Sequence, residues 1–320
     1  MQDISKIMCV IDLDAEAQHA LQRGAWLAGL LGAELELVLC YYNEYLSDGR
    51  LGSYPSLENA QEDILQGLKR RLESLAEPLR ESGLTVNTTS TWDHPLYEGI
   101  VRHAIACDAD MVFKDTHHHS ALSRALLTNT DWNLIRTCPV PLWLVKPQDI
   151  QDKPTIIAAI DPLHEHDKPA ALDDEILVIS KALADATDAE VHAFHSYDPR
   201  IAVATATANA YIPVSLPFDE IEKQMHEQHE KRFNEVVTFH GIDASKSHLV
   251  AGVTHEELPE FSRSVAADIV VMGAVSRNRW KRLFIGATAE RTLEHLPCDL
   301  LIVKPDWFET PAEIADAKAA

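Results

Sequence analysis

The sequence predicts an α/β protein of two related domains, each a doubly wound parallel sheet of five strands. Short runs rich in Val, Ile and Leu alternate with helix-like segments along the whole chain of 320 residues. Such near-continuous apolar strands, separated by helices, are typical of parallel sheets that are covered on both faces. The same order of segments then occurs a second time, which predicts a duplicated domain.

The repeat is visible in short matching segments. ADMVF, starting at Ala109, matches ADIVV, starting at Ala267, at a distance of 158 residues. LVKP from Leu144 matches IVKP from Ile302 at the same distance. Nearer the start of each half, CVIDLD matches AAIDPL at a distance of 149 residues. Two halves of similar length are therefore related by duplication.

The boundaries follow from the repeat and from a linker-like stretch between the halves. PQDIQDKP is polar and contains two prolines, which is typical of a connection between domains. We expect a first domain at 1–149, a second at 154–306, and a weakly ordered acidic tail at 307–320.

Each element follows from its residue pattern, since strands show short apolar or alternating runs and helices show apolar residues spaced three or four apart. The first half is predicted as strand KIMCVID, helix 15–31, strand ELELVLCYY, helix 57–82, strand LTVNTTSTW, helix 96–106, strand DMVFK, helix 131–137 and strand PLWLVKP. The second half is predicted as strand TIIAAID, helix 172–184, strand EVHAFHSYD, helix 218–239, strand SHLVAG, helix 256–266, strand DIVVMGA, helix 288–296 and strand DLLIVKP.

Composition argues against two classes of partner. The 50 acidic residues outnumber the 28 basic residues and give a net charge of −22, whereas nucleic-acid phosphates require a basic footprint. No apolar run approaches the roughly 20 residues of a membrane-spanning helix, and the N-terminal stretch MQDISKIMCVIDLD lacks the basic region of a signal peptide. The five cysteines form no C-x-x-C pair, which predicts reduced thiols in a cytoplasmic protein.

Ligands of parallel sheets bind beyond the carboxyl ends of the strands, and several polar residues lie there. Asp12 and Asp161 follow the first strand of each half, and His195–Asp198 follows the second strand of the second half. The turns at Asp115 and Gly273 end the fourth strands. A carboxylate in such a position either contacts a ligand or caps the next helix, and both interpretations stay open.

The stretch GAVSRNRWKRLFIGATAE, from Gly273 to Glu290, is unusual in so acidic a chain. Four of the six residues at 277–282 are basic, and glycines stand at Gly273 and Gly286. Glycine permits close backbone approach and positive φ, and the free amides of a helix N-terminus suit a phosphate group. The alternative is a solvated loop with an ordinary Ser/Thr-containing helix start.

The spacing Gly273–x2–Ser276–x9–Gly286–Ala287–Thr288, followed by CDLLIVKPD, resembles the ATP-binding motif G-x2-G-x9-G-[S/T] of universal stress proteins. The resemblance covers both halves and is specifically to the tandem-domain E type of that family. It implies flavodoxin-like domains and a protein that binds nucleotides in stress adaptation rather than catalysing a reaction. In ATP-binding members the Asp after the first strand meets adenine and the glycine motif holds ribose and phosphates. The candidate site residues are Asp161, Gly273, Ser276, Arg277, Gly286, Ala287 and Thr288.

The sequence departs from this family pattern in both halves. In the second half, Ser276 stands at the second glycine, and Ala287 precedes the hydroxyl of Thr288 by one position. In the first half the aligned positions contain no glycine; they are Asp115, His118, Thr128, Asn129 and Thr130. Because Asp115 would face the ligand's phosphates and like charges repel, we predict that the first half does not bind ATP.

Two further features leave alternatives open. His117–His119, beside Asp115, suggest zinc ligands, but three adjacent histidines in a loop cannot all face one ion, so we expect no metal. The charge-poor segment 201–218 either packs between domains or lines an apolar extension of the site. Histidines His226 and His229, three apart on a charged helix, are interpreted as a solvated face.

The expected function is therefore a cytoplasmic stress-response protein that binds ATP or another phosphate-bearing small molecule in its second half. One alternative is a structural or partner-binding protein in which both sites are degenerate. Another is an amphiphilic ligand with a phosphate end and an apolar body lined by 201–218. A slow ATPase ranks last, because no P-loop motif G-x4-G-K-[S/T] and no recognisable general base are present. The family resemblance also implies pairing of the halves through their last strands, and it leaves homodimer formation open.

Overall fold

The structure is a computed structural model that describes residues 4–13, 15, 17–47, 59–119, 124–163, 170–200, 218–274 and 292–311. It divides into two compact units. One comprises the chain up to Asp149 together with the C-terminal stretch from Asp306, and the other is Ile150–Pro305. The described part of the expected tail therefore groups with the first unit, where the Thr310 hydroxyl donates to the carbonyl of Thr137 at 3.1 Å.

The first unit contains seven described strands and five described helices. The strands are β1 (Lys6–Val10), β2 (Glu34–Tyr41), β3 (Val86–Trp92), β4 (Met111–Asp115), β5 (His117–His119), β6 (Arg124–Leu126) and β7 (Leu142–Val145). The helices are α1 (His19–Leu31), α2 (Glu44–Ser47), α3 (Ala60–Glu81), α4 (Leu96–Ala106) and α5 (Asn129–Thr137). Five strands form a parallel sheet in the order β3-β2-β1-β4-β7.

The second unit repeats this arrangement. Its described strands are β8 (Thr155–Ala159), β9 (Glu190–Tyr197), β10 (Ser247–Ala251), β11 (Ile269–Gly273) and β12 (Asp299–Val303). Its described helices are α6 (Ala170–Thr187), α7 (Phe218–Phe239) and α8 (Thr254–Ser264). The strands pair in parallel in the order β10-β9-β8-β11-β12. The predicted α/β class with doubly wound, mostly parallel sheets is confirmed.

The strands pair in equivalent registers in the two units, residue by residue. Val10 pairs with Lys114 in the first unit, and Ala159 pairs with Met272 in the second. These pairs differ by the sequence offsets of 149 and 158. The same offset of 158 relates the Asp115–Val145 pair to the Gly273–Val303 pair. Residues at the ends of these strands can therefore be compared directly between the units.

The central strands are buried because helices cover the sheet. All five residues of β11 and all five of β12 are buried, as expected for parallel strands with apolar residues on both faces. The largest fully buried side chains of the described residues include Trp143, Phe113 and Phe194. The carboxyl ends of these strands are therefore fixed by a rigid core.

Most predicted elements are present, with shifts at their ends. Helix α1 begins at His19 rather than at residue 15, because the Gln18 side chain folds back and donates to the carbonyl of Asp12 at 2.6 Å. The antiparallel pair β5–β6 was not predicted: the three histidines expected in a loop form a strand. Only the end of the predicted helix 288–296 lies within the described residues.

The described residues show neither a membrane-spanning helix nor a disulfide bond. None of their helices combines the length and apolarity that crossing a lipid bilayer requires. No disulfide joins the five cysteines, which all lie in the described part of the chain.

Candidate functional site

Asp161 lies two residues beyond the end of β8 and is buried, with 8% of its surface exposed. The peptide that joins it to Ile160 is held on both sides. His195 Nδ1 lies 3.1 Å from the carbonyl oxygen of Ile160, and the amide of Asp161 donates to Asp173 Oδ1 at 3.0 Å. Since His195 and Asp173 are each only 2% exposed, this strand end is a rigid, buried corner.

Gly273 ends β11, the strand next to β8. A Cβ atom at this position would lie 2.7 Å from Leu172 Cγ of α6, closer than real Cβ contacts. Gly273 does not have the left-handed φ that the sequence analysis allowed for. Its lack of a side chain therefore permits the close approach of α6 to the sheet, whatever else it serves.

Lys304 is a buried cation at this edge that the sequence analysis did not single out. It follows β12 and is 8% exposed, and its ammonium group donates to the carbonyl of Ala274, directly after Gly273. The signal was present, because VKP ends the last strand of each half. Lys304 thus places a positive charge where the basic loop begins.

Five of the seven predicted site residues cannot be placed. They lie outside the described residues and are Ser276, Arg277, Gly286, Ala287 and Thr288. Residues 201–217 of the charge-poor segment also lie outside them. The structure brings together the other two predicted residues, Asp161 and Gly273, at the ends of the neighbouring strands β8 and β11.

In the first unit the matching strand end carries a carboxylate. Asp115, at the position of Gly273, is 7% exposed, and its Oδ1 accepts a hydrogen bond from the backbone amide of Ala20 at 2.9 Å. Ala20 lies in the first turn of α1, where backbone amides have no partner within the helix. The protein's own anion therefore binds a helix start at this edge.

A second carboxylate occupies the start of α5. Asp131 is fully buried, accepts hydrogen bonds from the backbone amide and the hydroxyl of Thr128, and forms a capping box with that residue. The ammonium group of Lys114 lies 2.7 Å from Asp131 Oδ1. The helix start that corresponds to the motif helix of the second half thus contains its own anion and a matching cation.

The interior of the second unit also contains a pair of histidines. His195 on β9 and His229 on α7 lie 2.8 Å apart, Nε2 to Nδ1, and each is 2% exposed. The solvated-face interpretation holds for exposed His226 but is wrong for His229. The sequence did contain a signal for the burial of His229, since His229, Phe233 and Val237 recur every four residues and so lie on one face of the helix. All three are buried.

Comparison with known proteins completes this picture. The model of the universal stress protein family matches residues 4–146 and, a second time, residues 155–304. The chain belongs to the universal stress protein family. The two matches follow the repeat that the sheet registers show.

Relatives of this universal stress protein carry the E designation. Universal stress protein E of Escherichia coli strain K12 is 28% identical over 311 residues, which is 97% of each chain. Universal stress protein E of Photorhabdus laumondii is 26% identical over 320 residues, covering 98% of this chain and 99% of the relative. The tandem-domain E-type resemblance is confirmed.

Solved structures of the family share the fold along the whole chain. A putative universal stress protein from Pseudomonas aeruginosa has a TM-score of 0.73 at 22% identity and covers 98% of this chain and 95% of its own. A universal stress protein from Archaeoglobus fulgidus has a TM-score of 0.61 at 15% identity, covering 95% of this chain and 99% of its own. At these identities the likeness concerns the fold.

Within this universal stress protein the two units differ in side chains at equivalent positions. The offset of 158 relates Lys114 to Met272, and it relates Thr128 and Asp131 to the positions of a glycine and an alanine, Gly286 and Ala289. The second half therefore lacks the capping hydroxyl, the carboxylate and the lysine that fill the first.

The described residues contain no group of three or more His, Cys, Asp or Glu residues arranged to hold a metal ion. The backbone of His117–His119 forms β5 and pairs with β6.

Proposed function

We propose that this universal stress protein binds a nucleotide, with ATP as the first candidate, or another phosphate-bearing small molecule in its second unit. The observation that carries the proposal is the placement of Asp161 and Gly273 on adjacent strand ends of one parallel sheet. Such ends are where open α/β sheets bind ligands. In the family motif the same two positions flank the adenine end and the phosphate end of the ligand.

Charge supports the proposal from the phosphate side. Lys304 is buried against the carbonyl of Ala274, and the following residues 277–282 are mostly basic. The first unit neutralises its matching helix start with Asp131 and Lys114, whereas the second unit has neither side chain. A ligand phosphate, held by helix amides and Ser276, Arg277, Gly286, Ala287 and Thr288, is the anion we propose there.

We propose binding without catalysis, in a cytoplasmic stress response. The chain has no P-loop lysine motif to act on a terminal phosphate. The partner we propose is a small molecule, and the proposed site includes no metal ion. Pairing of the two halves through their last strands, and of two chains with each other, stays a prediction.

Calorimetric titration with ATP tests the proposal. Wild-type protein should release heat, and Gly286→Asp should abolish it, because a carboxylate at the helix start repels the phosphates. Asn129→Asp introduces the same charge at the exposed helix start of the first unit and should leave the heat unchanged. Phosphate release that is lost in Gly286→Asp would instead identify a slow ATPase.

Two other outcomes would replace this proposal. Absence of heat with every nucleotide, together with no small molecule in native mass spectra, would favour a structural or partner-binding protein. A retained amphiphilic molecule with a phosphate group would favour the ligand whose apolar body contacts the segment 201–218.

A further inference from the structure

The carbonyl of Ile160, one residue before Asp161, is bound by a ring of the buried histidine pair. We propose that His195 and His229 are a positioning pair that holds the Ile160–Asp161 peptide and makes ligand affinity of the second unit fall in acid. The inference rests on the proposed function for its effect on binding. The hold on the peptide itself is independent of any ligand.

Hydrogen-bond geometry determines where the protons of the pair lie. The carbonyl of Ile160 only accepts, so His195 Nδ1, at 3.1 Å, carries a proton. In the neutral ring His195 Nε2 is then an acceptor, and His229 Nδ1, at 2.8 Å, donates to it. A chain of two hydrogen bonds thus runs from helix α7 through β9 to the peptide that orients Asp161.

The same geometry limits how many protons the pair can hold. One additional proton is accommodated, either on His229 Nε2 or between the two rings, without loss of the shared hydrogen bond. With both rings charged, two N–H groups would face each other across 2.8 Å. Because both rings are 2% exposed, water cannot solvate the two charges, and the rings must separate.

Titratable and apolar groups surround the pair. Tyr197 is stacked on His229 with ring centroids 4.5 Å apart, and its hydroxyl is hydrogen-bonded to His226. The charges of Glu222 and Glu230 act on Tyr197. Asp173 accepts the hydrogen bond of the Asp161 amide. The ring of Phe233, with its centroid 6.0 Å from that of His195, is an apolar neighbour of the pair.

The first unit lacks this device. Register places Leu39 where the second unit has His195, because Val10 pairs with Val38 and Ala159 pairs with Phe194. There the amide and carbonyl of Asp12 are both bound by the side chain of Gln18, which does not titrate. The histidine pair is therefore specific to the unit in which we propose the ligand.

Nuclear magnetic resonance of the ligand-free full chain tests the hold on the peptide. We expect the Nδ1 proton of His195 to persist from about pH 8 to about pH 6. The amide resonance of Asp161 should shift together with the histidine pair below that range. In His195→Leu, which copies Leu39, the shift should disappear while the folded spectrum remains. An Asp161 amide resonance that does not shift as the pair takes up protons would overturn the proposal.

Calorimetric titration with ATP at about pH 7.5 and about pH 5 tests the effect on binding. Wild-type affinity should fall about tenfold at the lower pH, because uptake of the second proton separates the rings and releases the Ile160 carbonyl. His229→Gln can donate to neutral His195 or accept from its charged ring, so its profile should follow only the titration of ATP. His195→Gln keeps an N–H for the Ile160 carbonyl and should restore affinity that His195→Leu loses.

These measurements separate the two proposals. An Asp161 amide that follows the pair, with no ATP heat at any pH, would reject the nucleotide while retaining the positioning role. Equal pH profiles in wild type and His229→Gln would reject the regulatory role. A loss of thermal stability without any change in pH profile would reduce the pair to a core contact and overturn the proposal.

Discussion

The carboxylate of Asp115 accepts a hydrogen bond from the backbone amide of Ala20, at 2.9 Å, and so joins the end of β4 to the start of α1. At the equivalent strand end of the second unit stands Gly273, against which Leu172 of α6 packs. The two units therefore close the same junction by different means, one with a buried charge and the other with an apolar contact. This difference separates the unit proposed to bind a ligand from the unit that fills its own site.

The ion pair between Lys114 and Asp131 can be tested by copying the second unit. Asp131→Ala leaves a buried ammonium without its carboxylate, so we expect a loss of about 3–5 kcal/mol in the free energy of unfolding. Lys114→Met combined with Asp131→Ala reproduces Met272 and Ala289. The double variant should lose only about 1 kcal/mol, because what remains missing is mainly the helix cap.

Urea unfolding of the wild type, both single variants and the double variant measures this coupling. Additive losses would show that the two side chains do not compensate each other. Binding of ATP by the double variant would extend the argument, since it would show that removal of Asp131 opens the first unit even though Asp115 remains.

Gly273→Ala tests the packing role of the glycine at the end of β11. The new Cβ lies 2.7 Å from Leu172 Cγ, so we expect destabilisation of about 1–3 kcal/mol from overpacking. The matched control is Gly67→Ala in α3, where the added Cβ meets nothing within 4 Å. That control should stabilise the protein by about 0.5–1 kcal/mol, because alanine is the better helix former.

Thermal and urea unfolding compare the two glycine variants. If Gly273→Ala unfolds like the wild type yet loses ATP binding, the glycine serves the ligand rather than the packing of α6. Loss of both stability and ATP binding would indicate that the missing side chain at Gly273 serves both the packing of α6 and the ligand.

A different pair of histidines, His192 on β9 and His248 on β10, is expected to make the stability of the second unit sensitive to acid. His192 Nδ1 and His248 Nε2 lie 2.9 Å apart. Burial lowers the pKa of both rings, and the charges of His192 and Lys246 lower the pKa of His248 further. Because the unfolded chain binds these protons more readily, the stabilising effect is present above the ordinary histidine pKa of about 6.5 and is lost as pH falls below it.

We therefore expect the urea midpoint of the wild type to fall between about pH 7.5 and about pH 5. His248→Gln removes one of the two titrating rings of this pair, so the free energy lost over that interval should become smaller. An unchanged loss in the variant would mean that other groups cause the acid sensitivity.

Residue patterns alone predicted the repeat, the order of its elements and the parallel sheets. Helix 218–239 was predicted at both ends and helix 96–106 likewise, because their apolar spacing is regular and their flanks break it. The motif spacing also pointed to Gly273, and the family resemblance pointed to Asp161 after the first strand; the fold brings these two residues to adjacent strand ends. Such patterns are local or recur at a fixed offset, so they can be recognised without knowing what packs against what.

Tertiary structure decided which polar groups are buried and what they bind. His229 was taken for a solvated residue, yet it is enclosed against His195, which lies 34 positions away in the chain. Asp115 was expected to face a ligand's phosphates and so to exclude ATP, and the fold gives its carboxylate the backbone amide of Ala20 as a partner. Asp131, which the sequence analysis did not single out, is bound by Thr128 and Lys114.

The sequence by itself determined the family, the duplication and the two strand ends where a ligand is proposed. Only the tertiary structure determined that carboxylates of the first unit bind the starts of α1 and α5, and that His195 contacts the peptide of Asp161 in the second. The physical reason is that burial and hydrogen bonding depend on groups far apart in the chain, whose distances no local pattern specifies.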